Sequence, residues 1–132
     1  MANGHDGEGW CEPIKDDNDD DIIPPPNIIY IDWNSWVNTN QILGQVAMAS
    51  DTWASQPIYQ ITSSSHSYED GWLITHTNHV DYDANYAIAG ILTYKSPESP
   101  QVLWQQYGQH TWWVNSGDQT VWYATSYNWS NF

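Results

Sequence analysis

Arginine is absent from this sequence and lysine occurs only twice, at Lys15 and Lys95, against sixteen aspartates and glutamates. Nucleic-acid binders draw their affinity from lysine and arginine neutralising phosphates, and a protein lying on an anionic bilayer needs the same charges. Nucleic acid and anionic membrane are therefore not expected partners. Without arginine there is also no bidentate clamp for carboxylates or phosphates, which disfavours anionic small ligands. A formal charge of −14 favours solubility and attracts cations.

Cysteine is nearly as scarce. A lone Cys11 permits no internal disulfide, so stability has to come from packing. No apolar run is long enough to cross a bilayer as a helix. The start, MANGHDGEGWCEP, has neither a basic leader nor an apolar stretch, so no signal peptide is expected. That points to cytoplasmic synthesis, with release or assembly on a particle or cell surface left open.

Aliphatic residues are few as well: Ile, Leu, Val and Phe together number 23 of 132. Ten tryptophans and nine tyrosines compensate, because each ring buries roughly 150–250 Å². Whatever core forms must be largely aromatic.

Residues 1–27 differ from the rest. They hold eight of the sixteen acids, including the run DDNDDD at Asp16 to Asp21, followed by three prolines at Pro24 to Pro26. Such a segment cannot bury enough apolar surface to order itself, and it reads as an extended, flexible or strand-exchanging acidic arm. Asp17, Asp19 and Asp21 match the first three ligand positions of a calcium loop. The glycine and the distal glutamate of that loop are missing, since Ile22 and Ile28 stand in their places. A solvated acidic run is the better reading, and Ca²⁺ is the one cofactor the sequence leaves open.

From Asn27 onward the pattern has period two, interrupted by turn clusters. Eight segments follow it: Ile29 to Asn34, Ile42 to Met48, Ile58 to Ser63, Gly71 to Val80, Tyr86 to Tyr94, Val102 to Gln106, His110 to Asn115 and Thr120 to Trp129. Enrichment in Val, Ile, Thr, Tyr and Trp supports strands independently. The expectation is an all-β domain over 28–132, an antiparallel β-sandwich of jelly-roll or immunoglobulin-like type with about eight strands. Asn115 to Asp118, NSGD, is read as the turn of a hairpin, with small polar turn formers and a glycine able to take positive φ. Its first strand must send Trp112 and Trp113 to opposite faces.

Candidate chemistry is thin. His76 and His79 suggest a metal pair, with His66 or His110 as a third ligand, but on a strand the odd gap separates them. Asp81 and Asp83, with Glu69 and Asp70, offer paired carboxylates of the kind glycoside hydrolysis uses, yet VDYDAN also reads as a strand entering a turn. There is no G-x-S-x-G element, and no catalytic residue is assigned.

The aromatic surplus is the remaining signal. In QQYGQHTWW and WYATSYNW, flat rings alternate with amides and hydroxyls, a mixture that suits neutral sugars. The sequence therefore points to a non-enzymatic, lectin-like binding module for neutral carbohydrate. Its candidate platform is Trp112, Trp113, Trp122, Tyr123, Tyr127 and Trp129, flanked by Asn115, Asp118 and Asn128. The alternative is a self-assembling subunit of a coat, fibre or surface filament, joined to other copies by the arm and by aromatic interfaces. A metal-dependent hydrolase ranks third.

Overall fold

The period-two pattern is realised as antiparallel strands throughout. The computed structural model describes residues 3–6 and 28–132. They form β1 (Asn3–Asp6), β2 (Ile31–Asn40), β3 (Gln45–Glu69), β4 (Trp72–Tyr94), β5 (Leu103–Trp113) and β6 (Trp122–Asn131), with no helix among the described residues. All lie in one sheet of order β1-β6-β5-β3-β2, and β4 pairs with β3 off that path. The described residues are all-β and antiparallel, as the sequence suggested.

β3 organises the rest. Its first half, Gln45 to Ala54, pairs with β2, and its second half, Gln60 to Glu69, pairs with β5 on the same edge. β4 follows β3 along the other edge. The β3–β4 hairpin bends where the register slips between Trp53 and Ile58, opposite Asn85 and two residues from Asp83, whose φ is 50°. Pro57, which has no N–H to give a ladder, falls inside this interruption, where a sheet tolerates it. The bend curls the sheet into a half-barrel and lays β2 over β5 and β6. Trp33 on β2 stacks on Trp112 on β5 with centroids 5.2 Å apart.

The expected eight-stranded sandwich is thus replaced by five long strands and the short β1, all in one curled sheet. Expected segments two and three merge into β3, four and five into β4, and six and seven into β5. The merging has a physical cause. Asp81 reads as entering a turn, and Asp51 and Gln109 fall in the gaps between expected segments, but all three sit within long strands. Conversely, Ile42 and Leu43, read as strand, occupy the turn after β2. The β5–β6 hairpin forms as expected, with Trp112 opposite Trp122. Its turn closes through Asp118 N–H donating to Asn115 O at 2.9 Å, and Gly117 is not at positive φ. A type I turn needs none. Four residues assigned to the acidic arm, Asn3–Asp6, pair antiparallel with β6. Asp17, Asp19 and Asp21 lie outside the described residues.

The interior has three zones. One apolar cluster gathers Ile29, Ile31, Ala54, Ile58, Ile61, Ala87, Trp112 and Val114. A second gathers Val37, Val46, Met48, Trp104 and Phe132. Between them β2, β3, β5 and β6 contribute polar residues: Ser35 on β2, Ser50 and Thr52 on β3, Gln106 and His110 on β5, Ser126 and Asn128 on β6, all buried. A buried hydroxyl or amide without a partner costs about 1–3 kcal/mol, so such a band persists only when bonded.

The bonding is extensive. Gln106 Nε2 donates to Ser50 Oγ at 2.8 Å and to Ser65 Oγ at 2.6 Å, while its Oε1 accepts from Ser67. Thr52 Oγ1 donates to Thr62 O at 2.7 Å, so it accepts from His110 Nδ1 at 2.8 Å. That tautomer leaves His110 Nε2 to accept the Ser126 hydroxyl at 2.7 Å. Gly108 makes the band possible. A Cβ there would fall 2.5–2.7 Å from Ser126 Oγ, Ser50 Oγ and His110 Nε2.

Candidate functional site

With β5 and β6 adjacent to the second half of β3, alternation decides which of their side chains face out. On β5, Trp104, Gln106, Gly108, His110 and Trp112 point inward, and Gln105, Tyr107, Gln109, Thr111 and Trp113 point outward. On β6, Ser126 and Asn128 point inward, and Tyr123, Thr125, Tyr127 and Trp129 point outward. Pairing then builds rows across the outer face. One row runs His76, His66, Tyr107, Tyr127, and the next runs Ser64, Gln109, Thr125.

The rings of this face contact one another in pairs. Tyr107 and Tyr127 lie 4.6 Å apart at 35°, and Tyr68 meets Tyr107 edge-on at 5.4 Å. His66 and His76 stack at 4.0 Å. Gln105 Nε2 donates to the Tyr127 hydroxyl at 3.0 Å and so fixes that ring. Between these groups lies an open groove of about 560 Å³, lined by His66, Tyr68, Tyr107, Gln109, Thr125 and Tyr127, with Gly108 and Ser126 also contributing. The burial of Tyr107 and its tyrosine neighbours push its hydroxyl pKa up, and burial with His76 alongside pushes the His66 pKa down. Both groups are neutral near pH 7, so the groove carries rings, amides and hydroxyls and no formal charge.

The nine residues read as a platform divide accordingly. Tyr127 lines the groove, with Trp129 and Tyr123 on the same outer face. Trp113 is outward but engaged: it meets Tyr59 edge-on at 4.8 Å and donates from Nε1 to Asp118 O. Trp122, Asn115 and Asp118 lie at the hairpin end, where Asp118 Oδ2 accepts from Asn115 N–H. Trp112 and Asn128 are inside. Trp112 is 3% exposed, and Asn128 donates to Ser35 O across the interior. These two cannot contact an external ligand in this fold, because alternation turns them to the concave face.

Tyr68, Tyr107, His66, Gln109 and Thr125 were absent from the platform read from sequence. Tyr107 and Gln109 lie in the QQYGQHTWW stretch that carried the right mixture of residues. Tyr68 and His66 sit in ITSSSHSYE, where inner and outer positions are both polar and periodicity gives no signal.

The metal and carboxylate candidates separate. His76 faces out against His66, while His79 belongs to the other face, 3.7 Å from Asp81. Among the described residues no three His, Cys, Asp or Glu side chains gather as a metal site. Asp83 takes a φ of 50° beside the β3–β4 register slip, and Asp81 Oδ1 accepts the Tyr82 N–H, so Asp81 serves the backbone locally. Ser126, His110 and Thr52 have the spacing of a nucleophile, base and orienting group. All three are buried, which leaves a substrate no approach to the Ser126 hydroxyl in this conformation. Compared with protein-family models, with curated proteins and with solved structures, the chain finds no match in any of the three.

Proposed function

We propose that the protein is a non-enzymatic binding module for neutral carbohydrate, and that the ligand lies in the groove between Tyr68, Tyr107 and Tyr127. The observation that carries this reading is the uncharged groove itself: half-exposed rings beside Gln109, Thr125 and His66. Sugars present C–H faces and hydroxyls together, and rings flanked by amides satisfy both. The platform proposed here is narrower than the one read from sequence, centred on Tyr107 and Tyr127 with Tyr123 and Trp129 at its margin. A glycan array read with the intact chain tests it. Binding to neutral glycans is expected, and an array without hits removes the reading.

The self-assembling subunit is supported by a different observation. Asn3–Asp6 pair with the outer edge of β6, so the start of the chain is able to add a strand to an edge. The same addition to a neighbouring copy would link subunits.

A further inference from the structure

Two imidazoles stand side by side on the outer face, beside the groove. His66 on β3 and His76 on β4 are partners in the antiparallel ladder, so both side chains leave the same face with Cβ atoms about 4.5–5.5 Å apart. Their rings stack with centroids 4.0 Å apart and planes 15° apart, which leaves no room for another group between them. A neutral imidazole carries one ring nitrogen with a free lone pair, and above about pH 7 the neutral form of an ordinary histidine prevails. Two such lone pairs on neighbouring strands are the donor set of a chelate.

Hydrogen bonding fixes which nitrogen of His76 is free. The Ser64 hydroxyl donates to Thr77 O at 3.4 Å, so its oxygen accepts from His76 Nε2 at 3.1 Å. That tautomer leaves the lone pair on His76 Nδ1. Metal-bound histidines donate their other ring N–H to an oxygen in the same way, which holds the ring in place for coordination. The electrostatics also favour a cation. The chain carries a formal charge of −14, and the one lysine among the described residues, Lys95, is engaged by Ser96 O and Ser99 O.

We propose that His66 and His76 are the two protein ligands of a divalent transition-metal ion, with zinc the ion to test. Imidazole nitrogen suits zinc, copper and nickel, whereas calcium and magnesium take oxygen. Two nitrogens bound to one tetrahedral zinc at about 2.0–2.1 Å lie about 3.3 Å from each other. Rings 4.0 Å apart reach that spacing by a small splay about their side-chain torsions, which the exposure of His76 permits. Among the described residues no group of three His, Cys, Asp or Glu forms here, so water completes the shell and the ion is exchangeable. Held by both strands, the ion clamps β3 to β4 in the folded chain and stabilises it. His79 takes no part, since it lies on the opposite face against Asp81. The site stands whatever ligand the groove takes.

The test is calorimetric titration of the untagged full chain with zinc chloride, in excess magnesium and slightly above neutral pH, followed by long-range proton–nitrogen spectra of the imidazoles. One saturable site per chain is expected, with the ring signals of His66 and His76 shifting and His76 bound through Nδ1. His66→Ala and His76→Ala should each weaken binding about tenfold or more, and Ser64→Ala about tenfold, while His79→Ala leaves it unchanged. All four are surface substitutions, for which the wild-type circular dichroism is expected. Zinc should raise the midpoint of thermal unfolding of the wild type but not of His66→Ala/His76→Ala. Absence of saturable binding overturns the proposal. Binding that survives in His66→Ala/His76→Ala, or that shifts the ring signals of other histidines instead, also overturns it and places the ion elsewhere on the chain.

Discussion

The His110 imidazole accepts the Ser126 hydroxyl at 2.7 Å in the middle of the interior, where neither side chain reaches solvent appreciably. The opposite ring nitrogen, Nδ1, donates its hydrogen to Thr52 Oγ1, so both nitrogens are committed to the neutral form. Burial drives the His110 pKa from 6.5 down to about 4, and only the Asp51 backbone works in the other direction.

This depression makes folding pH-dependent with a definite sign. Below about pH 6.5 the unfolded histidine binds a proton and the folded one does not, so stability falls with pH until about 4. At 1.36 kcal/mol per unit, the full loss is about 3 kcal/mol. Urea unfolding at several pH values should show this slope, and His110→Gln should flatten it relative to wild type. Parallel curves for the two proteins would contradict the assignment.

Gly108 is required for the same network. Gly108→Ala would place a methyl group within 2.7 Å of three bonded polar atoms. Overpacking of this kind costs about 1–3 kcal/mol, and displaced hydrogen bonds add to it. A variant as stable as wild type by urea unfolding would show that the two halves of the sheet separate easily at this point.

Trp112 and Trp122 face one another across the β5–β6 ladder but differ in role. Trp112→Ala removes the ring stacked on Trp33 and should cost about 3–5 kcal/mol. Trp122→Ala, at a surface position, should cost under about 1 kcal/mol. Equal losses in thermal or urea unfolding would mean that Trp122, which shares the face of Trp112 but lies at the turn end of the hairpin, is packed as tightly as Trp112.

Removal of residues 1–27 distinguishes the two readings of function. Light scattering should give the same monomer mass with and without these residues if the groove is the working surface. A polymer that dissolves on deletion favours the structural subunit.

Much of the fold was legible because alternation on β5 and β6 is strong. It correctly separated Trp112 from Trp113, and the same alternation on β6 turns Tyr123, Thr125, Tyr127 and Trp129 to one face. Strand lengths were not legible, since β3 and β4 bend at Trp53 to Ile58 and at Asp83 instead of turning back. The polar interior defeated the pattern altogether. Ser63, Ser65 and Ser67 are buried, and no hydropathy rule assigns serine to a core. For the same reason Tyr68 and His66, which alternate with those serines, were missed as groove residues, and Asn128 was taken as exposed when its amide crosses the interior to Ser35.

The central claim is that the groove beside Tyr107 takes a neutral sugar. Its most direct test is nuclear magnetic resonance titration of the intact chain with neutral oligosaccharides, in wild type and in Tyr107→Ala. Saturable shifts centred on Tyr68, Tyr107, Gln109, Thr125 and Tyr127, lost in the variant, are expected. Shifts that persist in Tyr107→Ala, or a spectrum unchanged by every neutral oligosaccharide, would contradict it.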